Sequence, residues 1–310
     1  MNTPGRLGLY GAGLLVVFGA AFAAGGVLVP DATVATWQQS AAHGETHTPN
    51  PSASNTQEAD VNGTSIAQAG FTLTEIQAPT AVGDEGTLAF AIVNRDGTAV
   101  TDYETAHGKD LHLIVVRSDG AAYRHVHPVL DTATGTWSLP WTWDRAGTYR
   151  VYADFTSGAS SVTLSRFVTV GGQFTPEPRT SVVTEAQVDG FDVSVSGELA
   201  AGAASDLTVS ITRDGEPVTE LEPYLGAFGH LVALRDGDLA YLHVHAHGEE
   251  PQPGQTSGPT ITFTAQAPTA GRYLLYLDFQ VDGIVHTAEL VLDAAAGTTD
   301  DSTGGGHEGH

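Results

Sequence analysis

HLIVVRSDGAAYRHVH, residues 112–127, reads as an antiparallel hairpin: two apolar-rich runs meet at Asp119-Gly120, a dipeptide that favours a two-residue type I′ turn. If Ser118 faces Ala121, opposed residue numbers sum to 239. His112 then sits across from His127, with His125 two residues along the same strand. Directly opposed side chains share a face of the sheet, as do residues i and i+2, so all three imidazoles project from one side. Opposed Cβ atoms lie about 4.5–5.5 Å apart and diagonal ones about 7–8 Å. Three imidazoles at those separations can meet on one ion with N–metal bonds of about 2.0–2.1 Å.

The stretch occurs twice. HLVALRDGDLAYLHVH occupies residues 230–245, and a shift of 118 residues aligns 95–128 with 213–246 without a gap, 15 of 34 positions being identical. That degree of self-similarity marks a duplication. Taking Asp236-Gly237 as the turn gives a sum of 473, which places His230 opposite His243 with His245 diagonal. Further along, AGTYRVYADF at 146–155 answers AGRYLLYLDF at 270–279, the preceding loop being six residues longer in the second copy.

Working outward, each copy supports about seven strands, near 71–76, 86–94, 110–117, 121–127, 135–142, 148–155 and 161–170 in the first. This predicts an all-β chain of two tandem Greek-key sandwiches, immunoglobulin-like or cupredoxin-like, over residues 70–172 and 181–293. The Ala-Gly-x-Tyr opening of the sixth strand has the form of a tyrosine corner, which favours the immunoglobulin-like arrangement. Trp137, Trp141, Trp143 and the paired tyrosines of that strand read as packing residues.

Before the sandwiches, Leu7 to Val29 is an uncharged apolar run of transmembrane length. Arg6 precedes it and Asp31 follows, so we read it as an anchor from an N-terminal transmembrane helix that leaves the rest extracytoplasmic. The competing reading is a signal peptide cleaved near Ala21 and Ala23 or near Thr33 and Ala35, which would leave a secreted protein. Residues 31–69 and 294–310 are polar and poor in aromatics, which predicts a disordered tether and a flexible tail, with His43 and His47 in one and His307 and His310 in the other.

Acidic residues outnumber basic ones 36 to 12 and Lys109 is the sole lysine, a balance that repels nucleic acid and anionic lipid headgroups. Without cysteine the chain forms no disulfide, thiolate metal site or cysteine nucleophile. Three neutral imidazoles suit a divalent transition metal, Cu(II) or Zn(II), whereas Cu(I) prefers sulfur and the one methionine is Met1. Each copy is therefore expected to hold an ion, through His112, His125 and His127 or through His230, His243 and His245. Asp154 and Asp278 are candidate carboxylate partners, and His107, His247 and His286 are additions specific to one copy. The plain alternative for a His-x-His on a strand is a sheet residue hydrogen-bonded to its neighbours; retention of all three spacings in two otherwise diverged copies argues for a site.

The pattern His-Leu-hydrophobic-Val-x-Arg, Tyr-x-His-Val-His-Pro and Ala-Gly-x-Tyr-x-x-Tyr-x-Asp-Phe resembles a family of exported actinobacterial proteins described as heavy-metal-associated. Its modules are similar to the immunoglobulin-like copper-resistance and YtkA type. The resemblance covers both copies and implies extracytoplasmic Cu(II) handling, with a metal-handling membrane protein as a possible partner. The chain departs from the copper-resistance pattern by lacking a mature N-terminal histidine and a Met-rich loop, so only the three histidines and the aspartate carry over. The second copy also reads Gly237-x5-His243-x-His245-x3-Glu249, the first half of a cupin-like metal motif without its second half. The expected function is metal buffering, delivery or sensing. The rivals are a structural or adhesion protein and a metal-dependent enzyme with an open coordination position.

Overall fold

The computed structural model describes residues 62–297 apart from Ala159, His243 and Pro253. Residues 7–29, most of the expected tether and most of the expected tail, with His43, His47, His307 and His310, lie outside the described residues, as does His243. Among the described residues there is no helix. The first copy contributes β1 (Ala67–Gln68), β2 (Phe71–Leu73), β3 (Gly86–Val93), β4 (Leu111–Arg117), β5 (Arg124–Val126), β6 (Val129–Asp131), β7 (Thr136–Trp141), β8 (Gly147–Ser157) and β9 (Ser160–Val170). The second contributes β10 (Glu185–Val188), β11 (Phe191–Ser196), β12 (Leu199–Ala200), β13 (Ala204–Arg213), β14 (Glu216–Pro217), β15 (His230–Arg235), β16 (Tyr241–Leu242), β17 (Val244–Ala246), β18 (Thr260–Gln266), β19 (Gly271–Val281) and β20 (Ile284–Ala295).

The first copy pairs as β1-β2-β3-β7-β6 on one sheet and β5-β4-β8-β9 on the other. The second repeats this as β10-β11-β13-β18-β17, with β14 beside β13, and β12-β20-β19-β15-β16. In the first copy β3, β7 and β6 share one sheet while β4, β8 and β9 share the other, and in the second β13, β18 and β17 stand against β15, β19 and β20, which is the strand exchange of an immunoglobulin-like sandwich. Tyr149 donates its phenol proton to Arg145 O at 2.8 Å, and Tyr273 donates to Thr269 O at 2.8 Å, so both tyrosine corners form. Each sandwich encloses its own core. Leu88, Trp137, Val151 and Leu164 belong to the first, and Val209, Phe263, Leu275 and Leu290 to the second.

The hairpin of residues 112–127 adopts the expected register by a different route. Leu113 pairs with Val126 and Ile114 with His125, numbers that sum to 239. The turn is not type I′, because of Asp119 and Gly120 only the glycine has a positive φ, 81°. Instead Arg117 clamps Asp119 with two hydrogen bonds of 2.8 Å, the strand end closes on Ala121, and Ala122 at φ 52° is an extra bulged residue that restores the register. In the second copy Ala233 pairs with Leu242 and Leu234 with Tyr241, which corrects the expected sum of 473 to 475. There Arg235 holds Asp238, not Asp236, so the loop has four residues and ends on Ala240. The arginine at the strand end, which selects its aspartate, sets the loop length in both copies.

Every residue of β4 is buried, although alternate side chains leave opposite faces of a sheet. Leu111, Leu113 and Val115 fill the first core, while Ile114 and Val116 enter a separate apolar cluster with Tyr152, Val232, Leu234, Leu274 and Tyr276. The two sandwiches thus dock through equivalent sheet faces. Tyr276 stacks on Tyr123, centroids 4.0 Å apart, and donates to Gly120 O at 2.6 Å; Tyr152 reciprocally packs near Tyr241 and donates to Leu239 O.

The expected tether of 31–69 is corrected at its end, because residues 62–69 are built into this fold. Tyr241 donates to Asn62 O at 2.9 Å, Ser165 to Gly63 O at 2.7 Å and Arg150 to Thr64 O at 3.0 Å, and β1 pairs with β2. A Cβ on Gly63 would stand 2.7 Å from that of Tyr241, so this polar segment is held by backbone bonding and close approach, neither of which depends on apolar content.

Candidate metal centre

Parity along the strands places the site. His112 lies two residues before Ile114, and His230 two before Val232, so both imidazoles leave the docking face of their sheets. Across the ladder His112 faces Asp154 and His230 faces Asp278. Each aspartate accepts a hydrogen bond on Oδ1 from the next strand, Thr163 to Asp154 at 2.7 Å and Thr287 to Asp278 at 2.6 Å. Docking then brings the clusters of the two copies together.

His112 Nδ1 lies 3.1 Å from His125 Nε2 and 3.2 Å from His127 Nε2. His125 Nδ1 lies 2.8 Å from Asp278 Oδ2, with both side chains buried. The rings of His112 and His230 stack at 5.6 Å, and those of His125 and His230 lie 4.9 Å apart. The coordinating atoms fall into two groups, His112 with His125 and His127, and His125 with His230 and Asp278, each within 4.8 Å. His125 belongs to both.

Hydrogen-bond chemistry fixes the lone pairs. Ala106 O can only accept, so His112, 3.1 Å away, donates Nε2–H and keeps its Nδ1 lone pair. Asp278 as a carboxylate accepts from His125 Nδ1–H, which leaves the His125 Nε2 lone pair aimed at His112 Nδ1. His127 Nε2 approaches that same His112 atom. His112 Nδ1 and His125 Nε2 thus face each other lone pair to lone pair at 3.1 Å with no proton between them, whereas one cation can bind all three nitrogens. With bonds of about 2.0–2.1 Å, N···N separations of this size subtend roughly 100° at the ion, close to tetrahedral. Burial and the neighbouring His125 lower the His112 pKa to about 4, the same causes lower His127 to about 3, and burial holds His230 well below its usual range. These rings are neutral at physiological pH, as metal ligation requires. Burial raises the pKa of the Asp154 carboxyl.

The other candidates are placed elsewhere. After Leu242 the second copy leaves the sheet of β15, and by Val244 it pairs with β18 of the opposite sheet; the first copy makes this switch after Val126. His245 is exposed and stands across the ladder from Thr264 of the opposite sheet, and His243, the third residue of the expected second group, lies outside the described residues. His247 is exposed and bonds Thr264 Oγ1 at 2.5 Å. His286 is buried between Phe191 and Phe279 and bonds Asp189 at 2.8 Å, away from the cluster. His107 sits at the rim, its ring 6.2 Å from His112 and 5.9 Å from His230. Two clefts, of about 560 Å³ and 80 Å³, reach His230, and both are lined by His107 and His245. Sequence reasoning named these residues but missed that Asp278 serves a histidine of the other copy; the unbroken apolar run of β4 was the available signal for a second buried face.

A sequence profile described as "Domain of unknown function (DUF8832)" matches residues 65–172 and again residues 186–296. No curated protein matches the chain. Among solved structures, Salmonella alpha-2-macroglobulin is 12% identical over 76% of this chain and 16% of its own length, with a TM-score of 0.23. The D0-D1 domain of intimin is 14% identical over 72% of this chain and 96% of its own, TM-score 0.19. Domains 5-6 of the S-layer protein SbsC are 11% identical over 74% and 97%, TM-score 0.23. The strand order, not these likenesses, identifies the sandwich.

Proposed function

We propose that this chain, which belongs to the DUF8832 family through two tandem copies, binds a divalent transition metal at the junction of its sandwiches. His112, His125 and His127 supply the ligands, and Asp278 of the second copy orients His125. The observation that carries this reading is the approach of two imidazole nitrogens, at 3.1 and 3.2 Å, to the one lone pair of His112 Nδ1. Zn(II) and Cu(II) suit an all-imidazole set, with Cu(II) expected from the sequence resemblance, and water completes the coordination. The ion would be buffered, delivered or sensed outside the membrane to which residues 7–29 tether the chain.

The test is calorimetric titration of the chain with Zn(II) and Cu(II) at pH 7.5, beside a His112→Ala/His127→Ala variant. Binding by the parent and its loss in the variant support the reading; equal binding by both contradicts it.

A second reading is a structural or adhesive protein whose histidines only fasten the junction. It draws on the continuous apolar docking face of Ile114, Val116, Val232 and Leu234, which holds the sandwiches together without an ion. Under it, neither metal binds above background and the chelated protein melts at the same temperature as the metal-treated one.

A further inference from the structure

We infer that the junction holds a second divalent ion, on His230, Asp278 and the far nitrogen of His125, so that the His125 ring bridges two metals. This rests on the reading above, since His125 must already present Nε2 to the first ion.

Two independent observations point there. His125, His230 and Asp278 each offer a coordinating atom within 4.8 Å of the others, a two-imidazole, one-carboxylate set. His230 Nδ1 is buried and has no hydrogen-bond partner among the described residues. An orphaned buried ring nitrogen costs free energy unless something fills the place of its partner. Asp278 Oδ1 is engaged by Thr287, and Oδ2 is directed at His125 Nδ1. An ion at this position replaces the proton between Nδ1 and Oδ2 and bonds both atoms and a ring nitrogen of His230; bound through Nδ1, it also removes the orphan.

The proton balance follows. His125 Nδ1–H breaks, the ion takes the nitrogen lone pair, and the proton passes to buffer, leaving an imidazolate shared by two cations. Binding of the second ion thus releases one proton that the first does not, because the first meets lone pairs already free on His112 and His125. Access runs through the larger cleft, which reaches His230 and carries Glu249 and Glu250 among its lining residues.

The experiment is titration of the full chain with Cu(II) alone, followed by electron paramagnetic resonance at one and two equivalents. The inference expects two equivalents, with the mononuclear signal of the first diminished when the second binds, because an imidazolate couples the two spins. His230→Gln leaves the ligands of the first site in place and should bind one equivalent with an undiminished mononuclear spectrum. One equivalent in the parent, or two that add as independent signals, overturns the bridge and leaves the first site standing. Binding of none overturns both readings. The parent's own stoichiometry and spectrum decide the matter if the variant fails to fold.

Discussion

His125 Nδ1 donates to Asp278 Oδ2 at 2.8 Å across the junction of the two sandwiches, a hydrogen bond between residues 153 positions apart. It sets the tautomer of a ring in the proposed metal centre of one copy with a carboxylate from the other, so the geometry of that cluster depends on docking of the second copy. Such carboxylate partners also raise the basicity of the imidazole they orient.

Asp278→Asn keeps an acceptor for His125 but removes the charge. Affinity for the first Zn(II) equivalent should fall roughly 10- to 100-fold, the usual cost of losing an outer carboxylate, while Asp189→Asn, which alters the partner of His286, should leave it unchanged. Competition titration against a chromophoric chelator reads both.

Ile114 is fully buried yet faces away from the core of its own sandwich. Ile114→Ala should lower unfolding free energy by about 2–5 kcal/mol, the cost of a cavity in a packed interior. Denaturant unfolding checks this, and a loss below about 0.5 kcal/mol would mean that the docking face is open in solution.

Metal-free stability should fall on acidification through a defined window. The His112 pKa drops from 6.5 unfolded to about 4 folded, so between these values the unfolded chain binds the proton and the folded one does not. The stabilisation is complete above pH 6.5, declines as pH falls, and levels off below about 4, with a ceiling on the order of 3 kcal/mol. His127 shifts in the same direction. Melting in chelator at pH 7, 6, 5 and 4 should show the decline, and His112→Gln should flatten it.

The tyrosine corners should contribute equally in both copies. Tyr149→Phe and Tyr273→Phe each remove a hydrogen bond to backbone, from Arg145 O and Thr269 O, and each should cost about 0.5–1.5 kcal/mol in denaturant unfolding.

Much of this architecture is legible in the chain because it depends on local rules. Alternation, the Asp-Gly turns and the Ala-Gly-x-Tyr openings specify strands, hairpins and corners, and the duplication doubles each signal. The register of the first hairpin is also legible, although it comes from an arginine-clamped loop plus a bulge at Ala122. Two features depend on contacts between distant residues. One is the pairing of Val244–Ala246 with Phe263–Ala265, which carries His245 to the sheet opposite that of Tyr241 and Leu242. The docking of one histidine face against the other converts two expected sites into a shared cluster, and its trace in the sequence is a strand apolar on both faces where one sandwich alone would ask for alternation.

Whether metal sits where the two copies meet is decided by anomalous diffraction from a crystal of the chain loaded with Zn(II). A zinc peak is expected within bonding distance of His112 Nδ1, His125 Nε2 and His127 Nε2, with His125 Nδ1 turned toward Asp278. Zinc found only on the exposed His245 and His247, with the His112 cluster unoccupied, would contradict this placement.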